Sequence, residues 1–92
     1  MPAVTPQPTP NPDSLKFVAA SGTFLDSGMR AFGSVRDAEG DPLGAALFAL
    51  DGVANVFVTP GFVTVTKQPA ASWNGLTDGI QRVLEQHLAA KG

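Results

Sequence analysis

Few side chains in this sequence are of a type that does chemistry, and each set of them fails on spacing or on company. His87 is the only histidine. A hydrolytic triad holds its histidine between a nucleophile and an acid, whereas His87 lies near the end of the chain, on a helical stretch and beside its apolar stripe. A partly buried packing histidine is the better reading. Asp37, Glu39 and Asp41 alternate like oxygen ligands. A calcium loop starting at Asp37 needs glycine at its sixth position and glutamate at its twelfth; Pro42 and Phe48 stand there, so the segment reads as a solvated acidic loop. Phe57 and Phe62 fall on strand-like stretches, as the stacking aromatics of RNA-binding sheets do, but no basic residues flank them and they read as core. Cysteine is absent. That removes disulfides, thiolate nucleophiles and, with one histidine, the usual zinc sets. No glycine-rich phosphate cradle occurs. Nothing supplies a base, a nucleophile and an oxyanion donor together, so the chain reads as no enzyme, with no catalytic and no metal-ligating residue.

The bulk properties narrow the class further. Ninety-two residues make one domain. Charged residues are 15%, below the ~25% usual for a soluble domain, which favours a surface that touches something. The net charge is −2 and the six basic residues, Lys16, Arg30, Arg36, Lys67, Arg82 and Lys91, are scattered. Such a chain has no electrostatic footprint for a phosphate backbone, and no nucleic-acid partner is expected. The start is proline-rich and lacks the apolar run of a secretory signal. The longest near-apolar stretch, Ala45 to Leu50, falls far short of the ~20 residues that span a bilayer. No membrane partner is expected, and the chain reads as cytoplasmic.

The elements that must position any site follow from punctuation and period. Residues 1–12 hold Pro2, Pro6, Pro8, Pro10 and Pro12, and alternating proline predicts a flexible, polyproline-like arm ahead of a single domain over 13–92. Leu15 to Ala20 reads as a first strand. Thr23 to Leu25 and Ala31 to Val35 are two candidate pieces of a second, with Gly33 marking a bulge or a close backbone approach. Asp41-Pro42 opens a helix as N-cap and first residue. Its stripe is Leu43, Ala46, Leu47 and Leu50, and Gly52 is its left-handed stop. Val53 to Val58 and Phe62 to Lys67 form a hairpin through Thr59-Pro60-Gly61. Ser72 caps a second helix from Trp73 toward Ala90, with an apolar stripe of Trp73, Leu76, Ile80, Val83, Leu84 and Leu88. The order β-β-α-β-β-α predicts an α+β fold in two layers, a mainly antiparallel four-stranded sheet with both helices on one face.

Three blocks of residues resemble one family. Thr9 to Phe17 reads TPNPDSLKF. Asp41 to Lys67 carries DPL, LF, GV, VF and FVTVTK in order. Trp73, Leu76, Ile80 and Leu84 fall on a closing helix. Together they cover residues 9–88 and resemble the N-terminal domain of the Nfu/NifU-like iron–sulfur cluster scaffold proteins. In two-domain members a further domain bears the CxxC motif that holds the cluster. This cysteine-free chain cannot hold one by those ligands, so the resemblance implies no cofactor bound here and an iron–sulfur cluster met only through a partner. It implies a non-catalytic accessory or protein-interaction module in cluster assembly or delivery. The partners implied are a CxxC-bearing scaffold domain, assembly factors or apo-protein recipients. Lys67 and Trp73, with exposed polar neighbours, are the candidate partner contacts. Asn11, Pro12, Pro42 and Gly52 are motif positions with structural roles, Asn11 through an Asx-turn. The residues alone leave open an alternative, a small-ligand or regulatory module using the free face of the sheet.

Overall fold

The computed structural model describes residues 4–20 and 22–91. Five strands and two helices follow one another as β1 (Val4–Pro8), β2 (Ser14–Ala19), β3 (Arg30–Phe32), α1 (Pro42–Phe48), β4 (Val53–Val58), β5 (Phe62–Lys67) and α2 (Trp73–Lys91). The sheet order is β1-β2-β5-β4-β3 and every neighbouring pair is antiparallel. The class is α+β as expected, with five strands in place of four.

The added strand is the expected arm. Val4–Pro8 pairs along β2 from Val4 opposite Ala19 to Pro8 opposite Leu15, and Val4 is buried in the core. Pro6 and Pro8 have no N–H to donate. A two-sided strand would suffer from that, but β1 lies at the sheet edge, where proline also blunts pairing with other chains. Polyproline and β-strand dihedrals lie close together, which is why the alternation reads equally as a free arm. Residues 1–3 of the expected arm lie outside the described residues. On the far side of the sheet, the two pieces expected for the second strand reduce to β3. Thr23 to Leu25 is not a strand; Phe24 is instead a fully buried anchor whose N–H donates to the Pro60 carbonyl at 2.9 Å.

α1 begins as its sequence dictates. The Asp41 carboxylate accepts the Gly44 N–H at 3.0 Å, and Pro42 occupies the first turn. Leu43, Gly44 and Leu47 are the buried residues of the helix, whereas Ala46 faces solvent. Gly44 is on the inner face because a Cβ there would come within 3.0 Å of the Phe32 ring and of Ala38 Cβ; close approach of the β3 aromatic offsets its poor helix propensity. α2 contains a break, with Asn74 extended and Gly75 at φ +78°, so Trp73 is set off from the regular turns. Leu76, Ile80, Leu84 and Leu88 are the buried stripe of α2.

Side chains directly opposite in an antiparallel pair share a face. Phe17, Val63 and Val58 lie in one such line, and Val65 and Val56 in the next. All five are buried in the same cluster as Leu43 and Leu47 of α1 and the α2 stripe. Both helices therefore cover one face of the sheet.

Candidate functional site

The two expected contact residues sit together, but they point inward at a turn of their own chain. The turn joins β1 to β2. The Asn11 side-chain oxygen accepts the Asp13 N–H at 2.9 Å, the expected Asx-turn, and the Asn11 carbonyl accepts the Ser14 N–H at 3.0 Å. The Thr9 hydroxyl closes the same loop, donating to the Asn11 carbonyl at 2.9 Å and accepting the Asn11 N–H at 3.1 Å. Trp73 donates its indole N–H to the Pro12 carbonyl at 3.0 Å. The Lys67 ammonium meets the Asp13 carboxylate at 2.9 Å, and the Lys67 N–H donates to the Asp13 carbonyl at 2.8 Å.

Lys67 is thus not an exposed residue with polar neighbours. It shares the inward parity of Val63 and Val65 and is only 9% exposed. A lysine at that depth needs its charge paired, and Asp13 supplies the pair. Asn11, Pro12, Lys67 and Trp73 form one corner, while Pro42 and Gly52 lie elsewhere. Gly52 has φ +103° and its carbonyl accepts the Gln68 N–H. It shapes the entry to β4 and does not stop α1, which ends at Phe48. A Cβ at Gly52 would fall 2.9 Å from Ala71 Cβ.

A cleft of about 490 Å³ opens between the 24–27 loop, α1 and α2, with Phe24, Arg30, Asp41, Leu43 and His87 among its lining residues. Arg30, Asp41 and His87 in its lining are already engaged. One Asp41 oxygen caps α1 and the other meets Arg30 at 3.3 Å. His87 Nε2 donates to the Phe24 carbonyl at 3.1 Å, the partly buried packing role expected of it. Among the described residues no group of three or more His, Asp or Glu side chains could hold a metal ion. Asp37 accepts the Gly33 N–H at 3.1 Å, closing its own acidic loop.

Among the described residues, no helix covers the opposite face of the sheet. Phe57 lies opposite Thr64 and Phe62 opposite Val18, so both aromatics stand on this open face and not in the core where the sequence reading places them. Their ring centroids are 6.5 Å apart at 46°, and the Lys16 ammonium lies 4.5 Å over the Phe62 ring. The period-two alternation of β4 and β5 contains the signal: Phe57 and Phe62 have the opposite parity to Val56, Val58, Val63 and Val65. Residue type suggests core, and only the pairing register overrules it.

No helix among the described residues is long and apolar enough to cross a membrane. The family described as "Scaffold protein Nfu/NifU N terminal" matches residues 4–91. NifU-like protein 4, mitochondrial, of Arabidopsis thaliana is 42% identical over 80% of this chain and 26% of its own length. The NFU1 iron-sulfur cluster scaffold homolog, mitochondrial, of Drosophila willistoni is 34% identical over 91% of this chain and 29% of its own. The chain thus spans under a third of the curated relatives it matches. The solution structure of a NifU-like protein from Saccharomyces cerevisiae has the same fold, with a TM-score of 0.85 and 23% identity over 98% of this chain and 81% of that one. The crystal structure of protein SAV1430 from Staphylococcus aureus follows it with a TM-score of 0.73 and 20% identity over 92% and 100%. These relatives overturn the cytoplasmic expectation, since the plant and fly proteins are named mitochondrial; cysteine usage does not tell one reducing compartment from another. By the match over residues 4–91, the chain belongs to the family of Nfu/NifU scaffold N-terminal domains.

Proposed function

We propose that this domain is a non-catalytic docking module in iron–sulfur cluster assembly or delivery, and that it meets the cluster only through a partner. One conjunction carries the reading: family membership over residues 4–91, in a chain with no cysteine and with no metal-holding group among its described residues. Thiolates are the ordinary ligands of such clusters, so a domain of this family without them contributes contact and orientation. The partner is a CxxC-bearing scaffold domain, an assembly factor or an apo-protein recipient. A sheet face is flat, which suits a protein surface better than a small ligand, whose sites are concave.

Calorimetric titration of the chain with the CxxC scaffold domain of the same source, apo and cluster-loaded, tests the proposal. Saturable binding is expected, together with no iron or sulfide retained by the chain alone after reconstitution. Stoichiometric iron on the isolated chain would overturn it, as would the absence of heat with both scaffold forms and with recipient apo-proteins.

A further inference from the structure

Ionisable side chains are distributed unevenly over this domain. None of the five strands contains an aspartate or a glutamate; all the acidic residues lie in turns, loops and helices. Of the three basic residues on strands, Lys67 is buried against Asp13 and Arg30 is on the helix side, opposite Val58 and paired with Asp41. Among the described strand residues, the registers leave Lys16 as the only ionisable side chain on the open face. Neither ion pair among the described residues involves it. It is held over Phe62, beside Phe57, and Val18 lies directly opposite Phe62.

An open antiparallel face in a monomer is usually polar. This face does carry Thr5, Gln7, Ser14, Thr64 and Thr66, but at its middle the Lys16 ammonium lies over the Phe62 ring with Phe57 next to that ring, in a protein whose net charge is −2. Aromatic side chains are enriched at interface centres, whereas a lysine belongs to the polar rim, where it sets charge preference. The charge also selects the occupant. A second copy meeting this face about a twofold axis would bring one Lys16 toward the other, an isologous contact without a counter-charge. A partner that presents carboxylates beside apolar side chains completes it.

We infer that the helix-free face, centred on Lys16, Phe57 and Phe62, is where this domain docks its protein partner. The segment it takes is amphipathic and acidic, with apolar side chains on the two phenylalanines and Val18 and a carboxylate on Lys16. This rests on the docking-module reading above and deepens it by naming the surface and the chemistry of the partner.

The test combines variants with two probes. Lys16→Glu and Phe57→Thr are both on the open face, away from the core, and thermal melts would confirm that each variant is folded. Against the CxxC scaffold domain, each is expected to weaken binding about tenfold or more, and wild-type binding is expected to fall as salt rises. If the wild-type chain binds the scaffold and both folded variants bind equally well, the docking face is wrong and the docking-module reading stands. If the wild-type chain binds no scaffold, the second probe decides the face by itself. This probe is a synthetic amphipathic peptide of about 18 residues with leucine on one side and glutamate on its flanks, compared with a twin carrying lysine in place of glutamate. Saturable amide shifts at Lys16, Phe57 and Phe62 with the glutamate peptide, lost with its twin and in Lys16→Glu, are expected. Equal response to both peptides, or shifts confined to the cleft around His87, would overturn the inference.

Discussion

The two faces of the sheet are built from alternate residues of the same strands, yet they do different work. On the covered face Phe17, Val63 and Val65 are completely buried beneath the helices. One residue along in each strand, Lys16, Phe62 and Thr64 remain half-exposed on the other side. The difference teaches that apolar character alone does not assign a role in a domain this small. Phe17 and Phe57 are the same residue on the same sheet, one holding the fold and the other available to a partner.

The sharpest way to break this comparison is to truncate both. Phe17→Ala removes a ring with no solvent exposure and is expected to cost about 3–5 kcal/mol, enough to unfold much of a domain of this size; denaturant melts followed by circular dichroism check it. Gly52→Ala forces a β-carbon into a left-handed backbone and within 2.9 Å of Ala71, for an expected loss of about 1–3 kcal/mol by the same measurement. Trp73→Phe keeps the ring but loses the indole bond to Pro12, and about 1 kcal/mol is expected to go with it. Hydrogen exchange should then quicken at Asp13 and Ser14, whose N–H groups close the turn. Phe57→Thr, a strand-compatible replacement on the open face, is expected to change stability by less than about 1 kcal/mol while weakening partner binding. A large stability loss there would erase the distinction between the faces.

Much of this architecture was legible from residue order. Asp41-Pro42 and the hairpin through Thr59-Pro60-Gly61 announce themselves by local chemistry, because caps and tight turns are satisfied within a few residues. The Asx-turn at Asn11 is local in the same way. What was not legible depends on long-range pairing. β1 becomes a strand only because β2 lies beside it, with Gln81 of α2 donating to the Val4 carbonyl at 2.8 Å. Lys67 looked like an exposed contact because its partner, Asp13, is distant in sequence and adjacent only after β5 pairs with β2. The Phe57–Phe62 pair looked like core because its face is decided by register across β2, β4 and β5. The 22–41 segment was hardest, since Phe24 is buried without joining a ladder while Met29 and Val35 stay exposed.

The most direct test of the docking account is a chemical-shift map of the isotope-labelled chain against the CxxC scaffold domain of the same source. The account predicts saturable shifts along β2, β4 and β5, strongest at Lys16, Val18, Phe57 and Phe62, with the Lys67–Trp73 corner unmoved. Shifts centred on that corner or on the cleft around His87 would contradict it.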